Sequence, residues 1–384
     1  MGRANISSYE GWVRSLRSGK AVLGTLLGLS VACGGEPAIV DFPVVASVRR
    51  VVLEDSAAGI AWPTGLATDP EGGFYVLEIT AGAVYGFTED GRFVRRFGSL
   101  GDGPGQLRLP VAAAAFDSFV VISDFAHQGL DVFRRVDGMA LKRVPLPMRA
   151  EVLTPARSAL LVGGLNLGAG TSFARVAVPA WTVLLDGQVP ASYLPAGLLT
   201  SAYRRVYPVP LGGGTLAVGY EALDSIDVQA PDSLWTRLPL PLRRRRGVVK
   251  DANRVLAGLS FDKLLTAQSS LIAVAGLRDG RIAVVHSDQR LTRPPPVVPD
   301  ANGRLPVTAD LFVSVIAANR RQACVDGPVP TSGELLPQVA FRGDTLFVLD
   351  QITTGTTTRT VVTEFTIATE HCRWRPLVPE TRAH

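Results

Sequence analysis

The feature that most constrains this chain is a repeat. Between Trp62 and Phe133, two stretches of the same design follow one another. The first reads Pro63-Thr-Gly-Leu-Ala-Thr-Asp69-Pro-Glu-Gly-Gly73-Phe-Tyr-Val-Leu-Glu78, then Gly82-Ala-Val-Tyr-Gly-Phe87, then Asp90-Gly91-Arg-Phe-Val-Arg-Arg-Phe97. The second follows Pro110 with Val120-Val-Ile-Ser-Asp124 and Gly129-Leu-Asp-Val-Phe133. Tyr75 aligns with Val121 and Phe87 with Phe133, a pitch of 46 residues. A period of roughly 40–50 residues holding several short strands is the length of one propeller blade.

Each part of the unit has a physical role. Leu66–Asp69 reads as a short inner strand, and Pro70–Gly73 is turn chemistry that reverses the chain. Phe74–Leu77 is apolar without alternation, as expected of a strand buried on both faces. Ala83–Phe87 makes a third strand, and Asp90-Gly91 supplies the positive φ of the following turn. Arg92–Phe97 mixes arginine with aromatics, as an outermost strand with one wet side would.

Further second strands are expected at Leu160–Gly164, Leu216–Tyr220, Ile282–His286 and Leu346–Asp350, six with Phe74–Glu78 and Val120–Asp124. Their spacings of 46, 40, 56, 66 and 64 residues put longer loops in the fourth and fifth units. Ala38–Glu54 alternates like a strand, lies upstream of the first unit, and is expected to complete the last blade and hide its edge. Hydrophobic residues make up 47% and charged residues 19% of the chain, which excludes disorder and supplies a large core. The expected fold class is all-β: one propeller of six four-stranded blades.

The segment joining the two clear units is Arg95-Arg-Phe97-Gly-Ser-Leu-Gly101-Asp-Gly103-Pro-Gly105-Gln-Leu-Arg-Leu-Pro110. With its flanking strands it resembles the NHL-type repeat, and more specifically the bacterial six-bladed propeller family of exported lipoproteins. That family's linker is similarly a Phe-Gly, a Gly/Pro cluster and a Pro leading into the next inner strand. The resemblance covers Trp62–Phe133, and it implies a propeller working at the cell envelope.

The leader agrees. Ala21–Ala32 is uncharged and mostly apolar, and twelve helical residues span about 18 Å, short of a bilayer core of about 30 Å. Arg14, Arg17 and Lys20 precede it as the basic region of a signal peptide. Leu29-Ser30-Val31-Ala32-Cys33-Gly34-Gly35 resembles a bacterial lipobox, although leucine is more usual where Ser30 stands. The domain reading is therefore a lipoprotein signal peptide at 1–32 and a propeller at 33–384, with a short tether at 33–40 and lipid attachment at Cys33. The alternative is an ordinary signal peptide cut near Ala32. Residues 1–32 carry four basic groups and one acid, so removing them from the chain's 39 basic and 34 acidic groups leaves 35 and 33. A nearly neutral remainder supplies little of the phosphate attraction that nucleic-acid binding needs, so no nucleic-acid partner is expected.

Cys324 and Cys372 remain, 48 residues apart, about one repeat. That spacing places them at similar positions in neighbouring blades, whose outer strands diverge, so the sequence leaves a disulfide open.

Glu78, Asp124 and Asp350 end three second strands, with His286 at the matching place in the fifth unit. Repeated at one rim, they could bind a polar ligand or a cation; the alternative is that each acid caps its own turn. Only four histidines exist, and H-E-x-x-H, C-x-x-C, the EF-hand loop and G-x-S-x-G are all absent. No cofactor is expected on these grounds, with Ca²⁺ or another divalent metal left open. Arg243–Arg246 reads as a solvated loop or a contact for anionic lipid, and Pro294–Pro296 as a stiff loop. The functional expectation is a lipid-anchored binding or scaffold module for a protein, peptide or glycan. The alternative is a metal-dependent lactonase- or lyase-like enzyme with Glu78, Asp124, His286 and Asp350 over the channel.

Overall fold

A computed structural model describes residues 44–55, 59–193, 203–242, 269–292, 307–332 and 337–381. The leader with Cys33, the tether at 33–40, Arg243–Arg246 and Pro294–Pro296 lie outside the described residues.

The repeat resolves into six antiparallel blades in a closed ring. Blade one is Pro63–Thr68, Phe74–Glu78, Ala83–Phe87 and Phe93–Phe97; blade two is Pro110–Ala115, Phe119–Asp124, Gly129–Arg134 and Ala140–Pro145. Blade three is Val152–Ala156, Ala159–Asn166, Thr171–Ala177 and Val183–Asp186; blade four is Val206–Gly212, Thr215–Tyr220, Ser225–Gln229 and Thr236–Pro239. Blade five is Ser269–Gly276, Ile282–Leu291, Val307–Ile316 and Gln322–Val329. Blade six is Gln338–Arg342, Thr345–Thr354 and Thr357–Ile367, completed by Val45–Val52 from the start of the described chain. All six expected second strands are present, and Gly91 adopts φ +87° in the expected turn.

The apolar second strands hold the ring together because a strand's side chains alternate between its faces. Phe74 and Val76 pack with Phe347 and Leu349 of blade six, while Tyr75 and Leu77 pack with Val120 and Ile122 of blade two. Each seam between neighbouring blades has such a core. A fully buried Phe or Leu contributes about 1.5–3 kcal/mol. In blades two, four and six, third and outer strands are tied by charge: Asp131 with Arg143 at 2.9 Å, Asp227 with Arg237 at 2.8 Å, Glu364 with Arg49 at 2.6 Å.

Val45–Val52 runs antiparallel to Thr357–Ile367, from Val45 opposite Ile367 to Val52 opposite Val361. Beyond Ile367 the chain does something the repeat did not foretell. It doubles back around the outside, pairing Arg375–Pro376 with the edge of blade five and Glu380–Thr381 with the edge of blade four. Those two sheets therefore have five strands. Cys372 lies on this extension and not on a neighbouring blade's strand, so the divergence of outer strands does not apply. Its sulfur is bonded to Cys324 of blade five, with Cα atoms 5.6 Å apart.

The topology gives the ring two unlike rims. On one, the linkers pass from each outer strand to the next inner strand and the second strand turns into the third; this is the linker face. The other rim carries the remaining hairpins. No helix among the described residues is long and apolar enough to cross a membrane.

Candidate functional site

The rim residues expected from sequence stand at the linker face, each bonded close to its own blade. Asp124, fully buried, accepts from the backbone N–H of Arg108 (2.7 Å) and Leu109 (3.2 Å) in the linker entering its blade, and from Ala126 (3.0 Å) in its turn. Asp350 accepts from Ser332 Oγ (2.6 Å) and Ser332 N in the linker entering blade six. Glu78 accepts from Ala81 N at 2.6 Å and Thr80 Oγ1 at 2.5 Å in its turn. Two residues not singled out from sequence do the same work. Glu221, one place beyond the fourth second strand, accepts from Arg205 N (3.1 Å); Asn166 in blade three donates to the Pro147 carbonyl at 3.1 Å. Polar ends of the second strands thus fasten the incoming linkers, because buried backbone N–H and C=O groups must find partners.

His286 in blade five is fully buried, stacked on Phe312 with centroids 5.3 Å apart, and its Nε2 is 3.4 Å from Asp326 Oδ1. No three of Glu78, Asp124, His286 and Asp350 offer ligand atoms within 4.8 Å of one another; the trio among the described residues that does is Asp124, His127 and Asp131. Burial pushes the Asp131 carboxyl up, against the Arg143 guanidinium that pulls it down.

The six inner strands enclose a central channel of about 480 Å³, lined by Leu66, Ala113, Leu153, Tyr207, Ile272 and Val339 among others. Polar and apolar surface are mixed along its walls, with Glu151 and Arg205 where it opens on the linker face and Asp69 and Arg342 at the other end. Arg205 keeps 44% of its side chain open to the channel, 3.8 Å from Glu151. Burial works against its charge, but Tyr207, Glu221 and Glu151 hold the guanidinium above its ordinary value. Tyr207 donates its hydroxyl to the Leu271 carbonyl at 2.9 Å and is pushed up by burial and then by Glu221.

Beside Arg205, Phe125 meets the guanidiniums of Arg149 and Arg204 at 4.6 and 4.4 Å from its ring centre, within cation–π range. Arg204 is held by Glu151, whereas Arg149 is exposed. The linker carrying Arg149 can lie this close because position 164 is glycine: a Cβ there would stand 2.0 Å from the Arg149 carbonyl oxygen. The sequence reading missed this arginine–aromatic group, since its members come from a turn and two linkers in three different blades.

On the opposite rim, a cleft between blades one and two of about 620 Å³ is lined by Asp69, Glu71, Tyr75 and Arg135. Arg135 donates to Asp69 at 2.9 and 3.2 Å and pairs with Glu71, while Tyr75 donates to Asp69. These charges satisfy one another and fasten blade two to blade one.

No family model matches the chain, and no curated protein matches it. Among solved structures, it is similar to a DUF4221 family member from Bacteroides vulgatus, with 10% identity and a TM-score of 0.56 over 88% of this chain and 98% of that one. It is similar to a protein of Bacteroides fragilis designated as exported, with 12% identity and a TM-score of 0.55 over 86% and 97%. Virginiamycin B lyase from Staphylococcus aureus aligns over 83% and 98% at 10% identity, but with a TM-score of 0.45. At these identities, what the first two likenesses establish is the propeller fold.

Proposed function

We propose that this chain is an exported, lipid-anchored propeller that binds a protein, peptide or glycan partner at the channel mouth of its linker face. The observation that carries the reading is the group formed by Phe125, Arg149, Arg204 and Arg205. Aromatic and arginine side chains together are the composition of binding surfaces, and of this group Arg205 lines the channel itself. The leader and its lipobox-like Cys33 support export and anchoring, and export alone agrees with the designation of the Bacteroides fragilis structure. The enzyme alternative draws no support from Glu78, Asp124, His286 and Asp350, which serve separate blades.

The test is cross-linking in intact cells of the native source, comparing wild type with F125A/R149E and with V136E. Val136 is 71% exposed and lies in the rim cleft opposite the linker face, so V136E is the control. A discrete partner captured by wild type and V136E and lost in F125A/R149E is the expected result. Equal capture by all three, or none by wild type, refutes the reading. In parallel, C33S should move the protein from the membrane to the soluble fraction.

A further inference from the structure

We propose that Asp124, His127 and Asp131 hold one divalent transition-metal ion, of the Zn²⁺ or Mn²⁺ class, in the seam between blade two and the linker that enters it. The site is closed: Asp124 is 0% and Asp131 4% exposed, and 11% of the His127 side chain is open. One ligand atom from each lies within 4.8 Å of the others. A triangle of that size puts every corner within about 2.8 Å of its centre, so shifts of at most about 0.7 Å reach bonds of about 2.1 Å.

The hydrogen bonding of His127 points to a cation. Its Nε2 lies 2.9 Å from a carboxylate oxygen of Asp102. A carboxylate accepts, so Nε2 carries the hydrogen and Nδ1 of the neutral ring presents a lone pair. That Nδ1 is buried and 2.8 Å from Asp124 Oδ2, but not oriented to form a hydrogen bond with it. A lone pair set against a buried carboxylate oxygen is repulsive unless positive charge lies between them. A histidine whose far nitrogen donates to a carboxylate while the near one faces two acids is the usual arrangement of a metal-bound imidazole.

Asp131 supplies the second, independent indication. Blade four has the same third-strand aspartate facing an outer-strand arginine, and it serves as an internal reference. There, Arg237 donates to both oxygens of Asp227, at 2.8 and 2.9 Å. In blade two, Arg143 donates to Asp131 Oδ1 at 2.9 Å but turns its other arm to the Gln106 carbonyl, also at 2.9 Å. Asp131 Oδ2 is left buried with no hydrogen-bond partner, and a carboxylate oxygen of Asp131 lies within 4.8 Å of ligand atoms of both His127 and Asp124. Two aspartates and a neutral histidine beside one arginine leave one net negative charge in a buried place, which favours a bound cation.

One imidazole with two carboxylates suits Zn²⁺ or Mn²⁺ better than Ca²⁺, which takes six to eight oxygens. The closed surroundings make the ion structural, clamping the linker through Asp124, which already holds Arg108 N and Leu109 N. Nothing in this depends on the partner of the channel mouth.

The experiment uses the full-length chain, purified without a histidine tag, stripped with chelator and titrated with Zn²⁺ or Mn²⁺ alone by calorimetry and elemental analysis. We expect one equivalent per chain and a rise in melting temperature that chelator reverses. D131N should weaken binding at least tenfold and D102N about 10–100-fold, while D227N leaves it unchanged. Should D131N fail to fold, D102N still reports, because Asp102 is exposed and its loss removes the support of His127 and, beside it, only a surface ion pair with Arg108. No uptake of either metal by wild type, or equal uptake by wild type and D102N, overturns the proposal.

Discussion

The phenol of Tyr207 is buried, donates to the Leu271 carbonyl and lies beside Glu221. Burial raises its pKa, as it does for Tyr75, where Asp69 adds to the effect, and for Tyr220. A group whose folded pKa exceeds its unfolded one gives stability that is whole below the unfolded value and lost as pH climbs toward the folded value. For these phenols that window opens near pH 10 and extends upward. Ultraviolet titration of the native protein should therefore fall short of its seven tyrosines by at least three until the propeller unfolds, and Y207F should remove one from the delayed step. Ionisation of all seven together near pH 10 would contradict this. Single residues were also where the sequence was hardest to read. The repeated acids at Glu78, Asp124 and Asp350 were visible, and so was their alternative as turn caps. Their grip on the incoming linkers was not, because it joins Asp124 to Arg108 and Asp350 to Ser332 across a whole hairpin. Asn166 escaped because it carries no charge, and Glu221 because it stands one place late. The meeting of Asp102, His127 and Asp131 depends on how a glycine-rich linker folds back, which no spacing encodes.

At the level of elements, the second strands were the most legible because their central positions are apolar without alternation, as a strand with cores on both sides requires. The extension past Ile367 was illegible for the opposite reason. Its two strands have two residues each, one of them a proline, and show no periodicity. What fixes it is covalent. The Cys324–Cys372 bond closes a loop of 48 residues, which in the chain-entropy account contributes about 4 kcal/mol. C372S should lose stability of that order in urea unfolding, and wild type in reductant should match it. An unchanged midpoint would show that strand pairing alone holds the extension. The outer edges of blades one to three receive no such cover among the described residues. Those of blades one and two carry Arg95, Arg96, Lys142 and Arg143 instead, charges that discourage another strand from docking.

For the molecule as a whole, the number of blades followed from the repeat, and its closure from one strand expected upstream of it. Val45–Val52 turns six sheets into a ring by giving blade six its outer strand. Deleting those residues should leave the edge of Thr357–Ile367 open. Size-exclusion chromatography should then show oligomers, and unfolding should lose its single cooperative step. A monomer with unchanged unfolding would mean that the seam cores suffice.

That closure also governs how the ring can form. Arg49 and Glu364, bonded across the closing pair, are 315 residues apart. Contacts so distant in sequence make folding slow, because a long stretch of chain must be gathered before they reward it. Until blade six is complete, Phe74 and Val76 of blade one have no Phe347 or Leu349 to meet, and one side of the first-made blade stays bare. The chain is therefore most exposed to misassociation while it is almost finished, and a chaperone would serve it best in the interval before the last blade docks against the first.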